Sequence, residues 1–257
     1  MEILVCVKRV PGTGSQILLT DDERNVDTRH LGFTVGPHEE CAVEEAVRIA
    51  AARGGRVVAL TAGPAEADEQ LRYAVAMGVD EIVRVDVDAA DELDPQATAA
   101  AIVAGVRELT AEGRSFDLML FGDETPDAGH SQVGVRVACE LGLPMVGGVK
   151  GVDLDAAPGA VRLRREVADG VEVYESALPA AAAVKEGLNL PRYPSVKGRL
   201  RARKTRVRVV HTELRPGGLR KRRLRRPPEV SRTTVVLGHG RDAASAVVDV
   251  LEELEVV

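Results

Sequence analysis

Four short stretches of the chain, residues 3–7, 57–61, 81–85 and 117–121, are mostly apolar without strict alternation. Runs of Val, Leu and Ile of this length predict strands covered on both faces, as in parallel sheets. Between them the hydrophobic period lengthens. Residues 39–53 place Ala42, Val43, Ala46, Val47 and Ala50 on one helical stripe, behind Pro37 and ahead of Gly54-Gly55; proline at the start and glycine past the end bound a helix. Residues 65–77 open behind Gly63-Pro64 and close at Gly78, residues 96–109 follow the capping pair Asp94-Pro95, and residues 131–141 stop at Gly142. Two alternating segments around Ala168-Asp169-Gly170 predict a hairpin over 161–177. The run Leu178-Pro179-Ala180-Ala181-Ala182-Ala183-Val184 follows and predicts one more buried strand over 180–184.

This rhythm implies an α/β fold: a doubly wound, mainly parallel, Rossmann-like sheet with helices on both faces, a hairpin and a C-terminal extended arm. After Asn189 the regularity fails at Pro191, Pro194 and Gly198, then at Pro216-Gly217-Gly218 and Pro227-Pro228, until an amphipathic helix over 243–255. The expected division is an α/β nucleotide-binding domain over 1–198 and a basic arm with terminal helix over 199–257.

Composition narrows the functional classes. Aromatic residues make up 2% of the 257 and Trp is absent, so the core must be Val, Leu, Ile and Ala. Exposed aromatic platforms for stacking single-stranded nucleic acid are therefore not expected. No apolar run approaches a membrane span, and the first strand, followed at once by Lys8 and Arg9, has the wrong order for a signal peptide. Cys6, Cys41 and Cys139 stand apart among apolar neighbours and read as buried core residues in a cytoplasmic, reducing compartment. The net charge of −6 conceals an asymmetry: residues 199–226 hold 13 Lys and Arg against one acid, Glu213, leaving 21 basic and 39 acidic residues elsewhere. Such an arm suits a solvated tail, an acidic protein surface or nucleic acid. The protein surface is favoured, because no nucleic-acid-binding motif accompanies the arm.

In open parallel sheets, ligands gather where strand ends lead into helix N-termini. Four loops there are rich in Gly and Pro: Val10-Pro11-Gly12-Thr13-Gly14; Gly36-Pro37-His38-Glu39; Ala62-Gly63-Pro64; and Gly122-Asp123-Glu124-Thr125-Pro126-Asp127-Ala128-Gly129-His130-Ser131-Gln132-Val133-Gly134. Glycine admits a close ligand, and N–H groups at a helix start attract phosphate. A nucleotide is the expected ligand, although neither GxGxxG nor a P-loop occurs. Ser131 lies outside any GxSxG elbow. His38 and His130 lack metal-ligand spacing. Asp123, Glu124 and Asp127 suit Mg²⁺ or ribose hydroxyls, or equally capping of the turn and helix. No catalytic residue and no metal ligand is expected.

Several segments, in order, resemble electron transfer flavoprotein beta subunits: the opening strand Leu4-Val5-Cys6-Val7-Lys8-Arg9-Val10, the helix Ala42-Val43-Glu44-Glu45-Ala46-Val47-Arg48, the unit Leu71-Arg72-Tyr73-Ala74-Val75-Ala76-Met77-Gly78-Val79-Asp80, and the charged hairpin before the Leu178-Pro179 strand. The resemblance covers Met1 to about Lys204 and implies the adenine nucleotide alpha hydrolase-like form of the doubly wound fold. It implies a heterodimer with an alpha subunit that holds most of the redox FAD, and AMP, or a second FAD, in this subunit. It implies nucleotide contacts at Cys6, Gly36–Glu39, Ala62 and 122–133, and dehydrogenase recognition by Leu188, Asn189, Leu190, Pro191, Arg192, Tyr193 and Val196. Dehydrogenase donors and a downstream quinone reductase or other acceptor follow, with no nucleic acid, no membrane insertion and no bond-making enzyme role. The chain departs from the family where Asn-Pro-Phe-Cys becomes Gly36-Pro37-His38-Glu39, where Thr13 replaces a tyrosine near the flavin, and where the Asp-rich and Asn-Gln-Thr-Gly-Gln run is altered across 127–135. A stand-alone adenine-nucleotide-binding regulator resembling universal stress proteins is the rival expectation.

Overall fold

The apolar runs become the central strands because only a two-sided layer removes both of their faces from water. The computed structural model describes residues 1–12, 14, 17–87, 93–155, 157–213, 217–228 and 234–256. In chain order the elements are β1 (Glu2–Cys6), β2 (Arg9–Pro11), β3 (Phe33–Val35), α1 (Pro37–Arg53), β4 (Arg56–Gly63), α2 (Asp68–Met77), β5 (Glu81–Asp86), α3 (Pro95–Ala111), β6 (Leu118–Gly122), α4 (Val133–Leu141), β7 (Met145–Asp153), β8 (Ala160–Val167), β9 (Gly170–Ala177), β10 (Ala180–Val184), α5 (Val196–Lys204), β11 (Arg208–Val210) and α6 (Ala244–Glu253).

Nine strands form one sheet in the order β11-β5-β4-β1-β6-β10-β7-β8-β9. Every pairing from β11 to β7 is parallel, and at the far edge of this sheet the β7–β8 and β8–β9 pairs are antiparallel. Strand residues alternate between two cores. Ile3, Val5, Val57 and Ala59 pack with α1, α2 and Ala202 of α5. Leu4, Cys6, Val58 and Leu60 pack with α3 and α4. Helices thus cover both faces, the doubly wound architecture that the alternating periods predict. β2 and β3 pair separately as an antiparallel ribbon that delivers the chain to α1.

Three features differ from expectation. Strand β7 was illegible because Gly147, Gly148 and Gly151 interrupt it and only Val149 and Gly151 are buried. The stretch after Asn189 is not irregular throughout: α5 and β11 lie within it. Helix α5 buries only Ala202, so no apolar stripe announces it. Polar bonds hold it to α2 instead: Arg201 Nη2 donates to Val75 O at 2.7 Å and Val79 O at 2.9 Å, and Arg72 Nη1 donates to Ala202 O and Thr205 O at 2.8 Å each. Cys139, expected in the core, is exposed on α4, where Val137 and Ala138 take the buried face.

The chain separates into two units, Met1–Arg223 and Leu224–Val257, the second containing α6. No helix among the described residues is long and apolar enough to cross a membrane.

Candidate functional site

Parallel strands end on one rim. Cys6 pairs with Leu60, Gly63 with Asp86, and Gly122 with Val184, so the loops after β1, β4 and β6 leave the same edge. Gly36 joins them as the N-cap of α1, with Pro37 in its first turn. The α1 start and the β6 loop touch: the Glu124 N–H donates to His38 Nδ1 at 3.3 Å, and a Cβ at Gly36 would meet Pro126 Cδ at 3.5 Å. Cys6 is buried at the floor and burial pushes its thiol pKa far up, so it is no nucleophile. Ala62 is half-buried at the end of β4.

Glu39 occupies the notch between these loops. It is 3% exposed, and a Cβ at Gly122 would come within 2.8 Å of its Cδ, one at Gly36 closer still to its Oε2. The two glycines therefore make room for this carboxyl. Its Oε2 has no hydrogen-bond partner. Burial, opposed by a hydrogen bond from its own backbone N–H and by Lys8 and reinforced by Asp127 and Glu40, pushes its pKa up to about 7. A buried acid poised at neutral pH marks a functional site more than a structural one.

The acidic trio of the long loop diverges. Asp123 Oδ1 accepts from the Gly148 N–H at 2.8 Å, tying β6 to β7. Lys8 Nζ bonds Asp127 Oδ2 at 2.6 Å; burial works against the charged form, yet Lys8 brings the Asp127 pKa below the usual carboxylate range. Glu124 is exposed. Thr125 O accepts from the Gly129 N–H at 2.9 Å. Gly129 and Ser131 both take left-handed φ, 58° and 50°, a conformation that costs an L-residue about 1–2 kcal/mol. Ser131 therefore stays outside the helix, and α4 starts two residues later than its periodicity predicts, with Gln132 as N-cap. Ala128, His130 and Ser131 are exposed. Thr13, the expected replacement of a flavin-side tyrosine, lies outside the described residues.

The segment expected to recognise dehydrogenases sits along α1. Asn189 Nδ2 donates to Cys41 O at 3.1 Å and Glu45 Oε2 at 2.9 Å, Arg192 grips Glu44, and Leu188 packs against the core. Pro191 is half-buried. With the backbone so fastened, Leu190, Tyr193 and Val196 stand 91%, 84% and 76% exposed, and the Arg199 guanidinium lies 5.1 Å above the Tyr193 ring. The sequence reading missed Lys8, Glu44 and Glu45 as supports. Glu44 had a signal: an acid between Val43 and Ala46, on the apolar stripe of α1, needs a buried cationic partner.

Fold and rim define an α/β protein whose strand-end loops meet at one edge of a parallel sheet. The electron transfer flavoprotein domain family matches residues 25–214. The electron transfer flavoprotein subunit beta of Mycobacterium tuberculosis is 36% identical over 213 residues, covering 81% of this chain and 78% of that protein. The subunits beta of Thermoanaerobacterium thermosaccharolyticum and Bacillus subtilis are 31% and 30% identical, over 77% and 79% of this chain and 73% and 76% of theirs. The chain belongs to the electron transfer flavoprotein beta-subunit family. Membership brings a flavin and an alpha-subunit partner into the working assembly, and sets aside the stand-alone regulator.

Proposed function

We propose that this chain works as the beta subunit of a heterodimeric electron carrier, between dehydrogenase donors and a quinone reductase or other acceptor, in the cytoplasm. FAD, held mostly by the alpha subunit, supplies the redox chemistry when bound. This chain's residues position and recognise; none is assigned bond-making work. The basic arm contacts the alpha subunit.

The observation that carries the reading is the apolar set Leu190, Tyr193 and Val196, exposed on a backbone that buried Glu44 and half-buried Asn189 hold in place. A small rigid apolar tip with Lys197 and Arg199 beside it suits a fast, weak contact with a pocket rimmed by acids. A second ligand, AMP or another FAD, belongs on the strand-end rim. The rim fits an adenine nucleotide in two respects: Glu39 Oε2 lacks a donor, and the first N–H groups of α4 have no intrahelical acceptor.

The test is co-expression with the alpha subunit. Val196→Ser in that complex should slow dehydrogenase-driven flavin reduction about tenfold, the loss expected for a central apolar contact, with the flavin absorbance unchanged. Nucleotides extracted from the denatured complex should be one FAD and one AMP per pair, or two FAD in a bifurcating pair. Unaltered reduction by the variant would remove the docking role.

A further inference from the structure

We infer that Glu39 reads the base of the nucleotide placed on the rim: its buried carboxyl takes the edge of adenine, where an amine donor stands beside a ring-nitrogen acceptor. The inference rests on that reading of the rim and adds the residue that selects the ligand.

The geometry leaves the carboxyl incomplete. Glu39 is walled in between Gly36 and Gly122, and the polar groups around it are engaged with one another. Lys8 from the β1–β2 connection is bonded to Asp127 of the β6 loop. His38 Nδ1 accepts from the Glu124 N–H. Glu40, the next residue of α1, pairs with Tyr73. The carboxyl takes a hydrogen bond from its own backbone N–H, but its buried Oε2 has none, and a polar atom left dry in this way is costly unless a ligand completes it. With its pKa near 7, the neutral form presents one donor and one acceptor. That pair complements adenine, whose N6–H₂ donates and whose N1 accepts. A phosphate offers no such match and repels the ionised form, so the base rather than the phosphate belongs in this notch.

Calorimetric titration of the nucleotide-free complex with its alpha subunit tests this. The probes are AMP and purine riboside 5′-monophosphate, which keeps ribose and phosphate but lacks the amine. Wild type should bind AMP roughly tenfold more tightly than the amine-free analogue at pH 6, an outcome that needs no variant. The carboxyl is neutral below about 7 and ionised above it, so wild-type AMP affinity should fall about tenfold from pH 6 to pH 8 relative to Glu39→Gln. Glu39→Gln keeps a donor and an acceptor without titrating, and so also cancels the phosphate's own ionisation. Glu39→Leu should bind both probes equally. Equal wild-type affinity for the two probes, or a wild-type pH profile matching Glu39→Gln, overturns the role of Glu39 and leaves the nucleotide site standing. No AMP uptake at either pH, with neither AMP nor a second FAD in the denatured extract, overturns both.

Discussion

Arg192 closes on Glu44 through two parallel bonds, Nε to Oε2 at 2.7 Å and Nη2 to Oε1 at 3.0 Å, while its backbone N–H donates to the same Oε2 at 3.1 Å. Glu44 is buried, and Arg192 is partly exposed. Burial alone pushes the Glu44 pKa up; the hydrogen bonds and charge of Arg192 more than reverse this and leave it lowered. With Asn189 bonded to Cys41 O and Glu45, the segment 189–192 is fastened at both ends to α1, the helix whose first turn carries Glu39.

Arg192→Leu should therefore leave Glu44 buried without its partner and cost about 1–3 kcal/mol. Thermal unfolding checks the stability. A rise in the KM for the reducing dehydrogenase, with kcat and flavin absorbance held, checks the docking role. The pH dependence has a definite sign. A folded pKa below the unfolded one contributes stability above the ordinary carboxylate range, lost as pH falls through the folded value. Wild type should lose this contribution on acidification below about pH 4, and Arg192→Leu should show no such loss from Glu44.

Helix α5 lies so close on α2 that a Cβ at Gly198 would collide with the Ala76 carbonyl oxygen. Gly198→Ala must push the helix outward, breaking the Arg201 bonds to Val75 O and Val79 O. Overpacking of this kind costs about 1–3 kcal/mol. Because Val196 is the first residue of α5, the same variant should weaken dehydrogenase docking without touching the exposed side chains themselves. Chemical denaturation and flavin-reduction kinetics on one preparation separate the two effects.

Legibility followed hydrophobic contrast. Strands β1, β4, β5, β6 and β10 and helices α1 to α4 bury continuous or periodic apolar surface, and the sequence reading placed all of them, most within a residue or two. Strand β7 and helix α5 escaped because glycine backbone and arginine-to-carbonyl bonds, not apolar side chains, hold them. The rim loops were legible as glycine turns. The reason for two of those glycines was not, because the space beside Gly36 and Gly122 belongs to the Glu39 side chain, which the first turn of α1 sets against Gly36 and the fold sets against Gly122, a residue far along the chain. Ser131 was misplaced for a similar reason: its left-handed backbone ends the helix pattern where side-chain periodicity would continue it.

On β5, Arg84 is 7% exposed and bonds Asp68 Oδ1 at 2.9 Å, Asp86 and the Gly63 carbonyl, next to edge strand β11. Arg84→Met should cost about 1–3 kcal/mol rather than the 3–5 of a wholly buried pair, because Asp68 and Asp86 keep 30% and 29% of their side-chain surface and can hydrate. Urea unfolding gives the number. A neutral result would mean that Met packing offsets the lost bonds.

Asp94 holds two segments with one carboxylate. Oδ1 caps α3 by accepting from the Ala97 N–H at 2.8 Å, and Oδ2 accepts from the Gly218 and Leu219 N–H groups at 2.7 Å each. Lys221 Nζ donates to Asn25 Oδ1 at 2.6 Å and Arg223 reaches Glu23 Oε2 at 3.2 Å, so this stretch of the basic arm lies on its own acidic body, with Arg220 and Arg222 exposed. Asp94→Ala should lose the cap, about 1 kcal/mol, and free the arm. Asp94→Ser keeps a capping oxygen but lacks a second one for the arm. Both variants should therefore be cut faster by trypsin at residues 220–223, while only Asp94→Ala loses the full capping stability. Unchanged cleavage in Asp94→Ser would assign the anchoring to Asn25 and Glu23 instead. Faster cleavage that the alpha subunit suppresses would show the released arm finding its second acidic surface there.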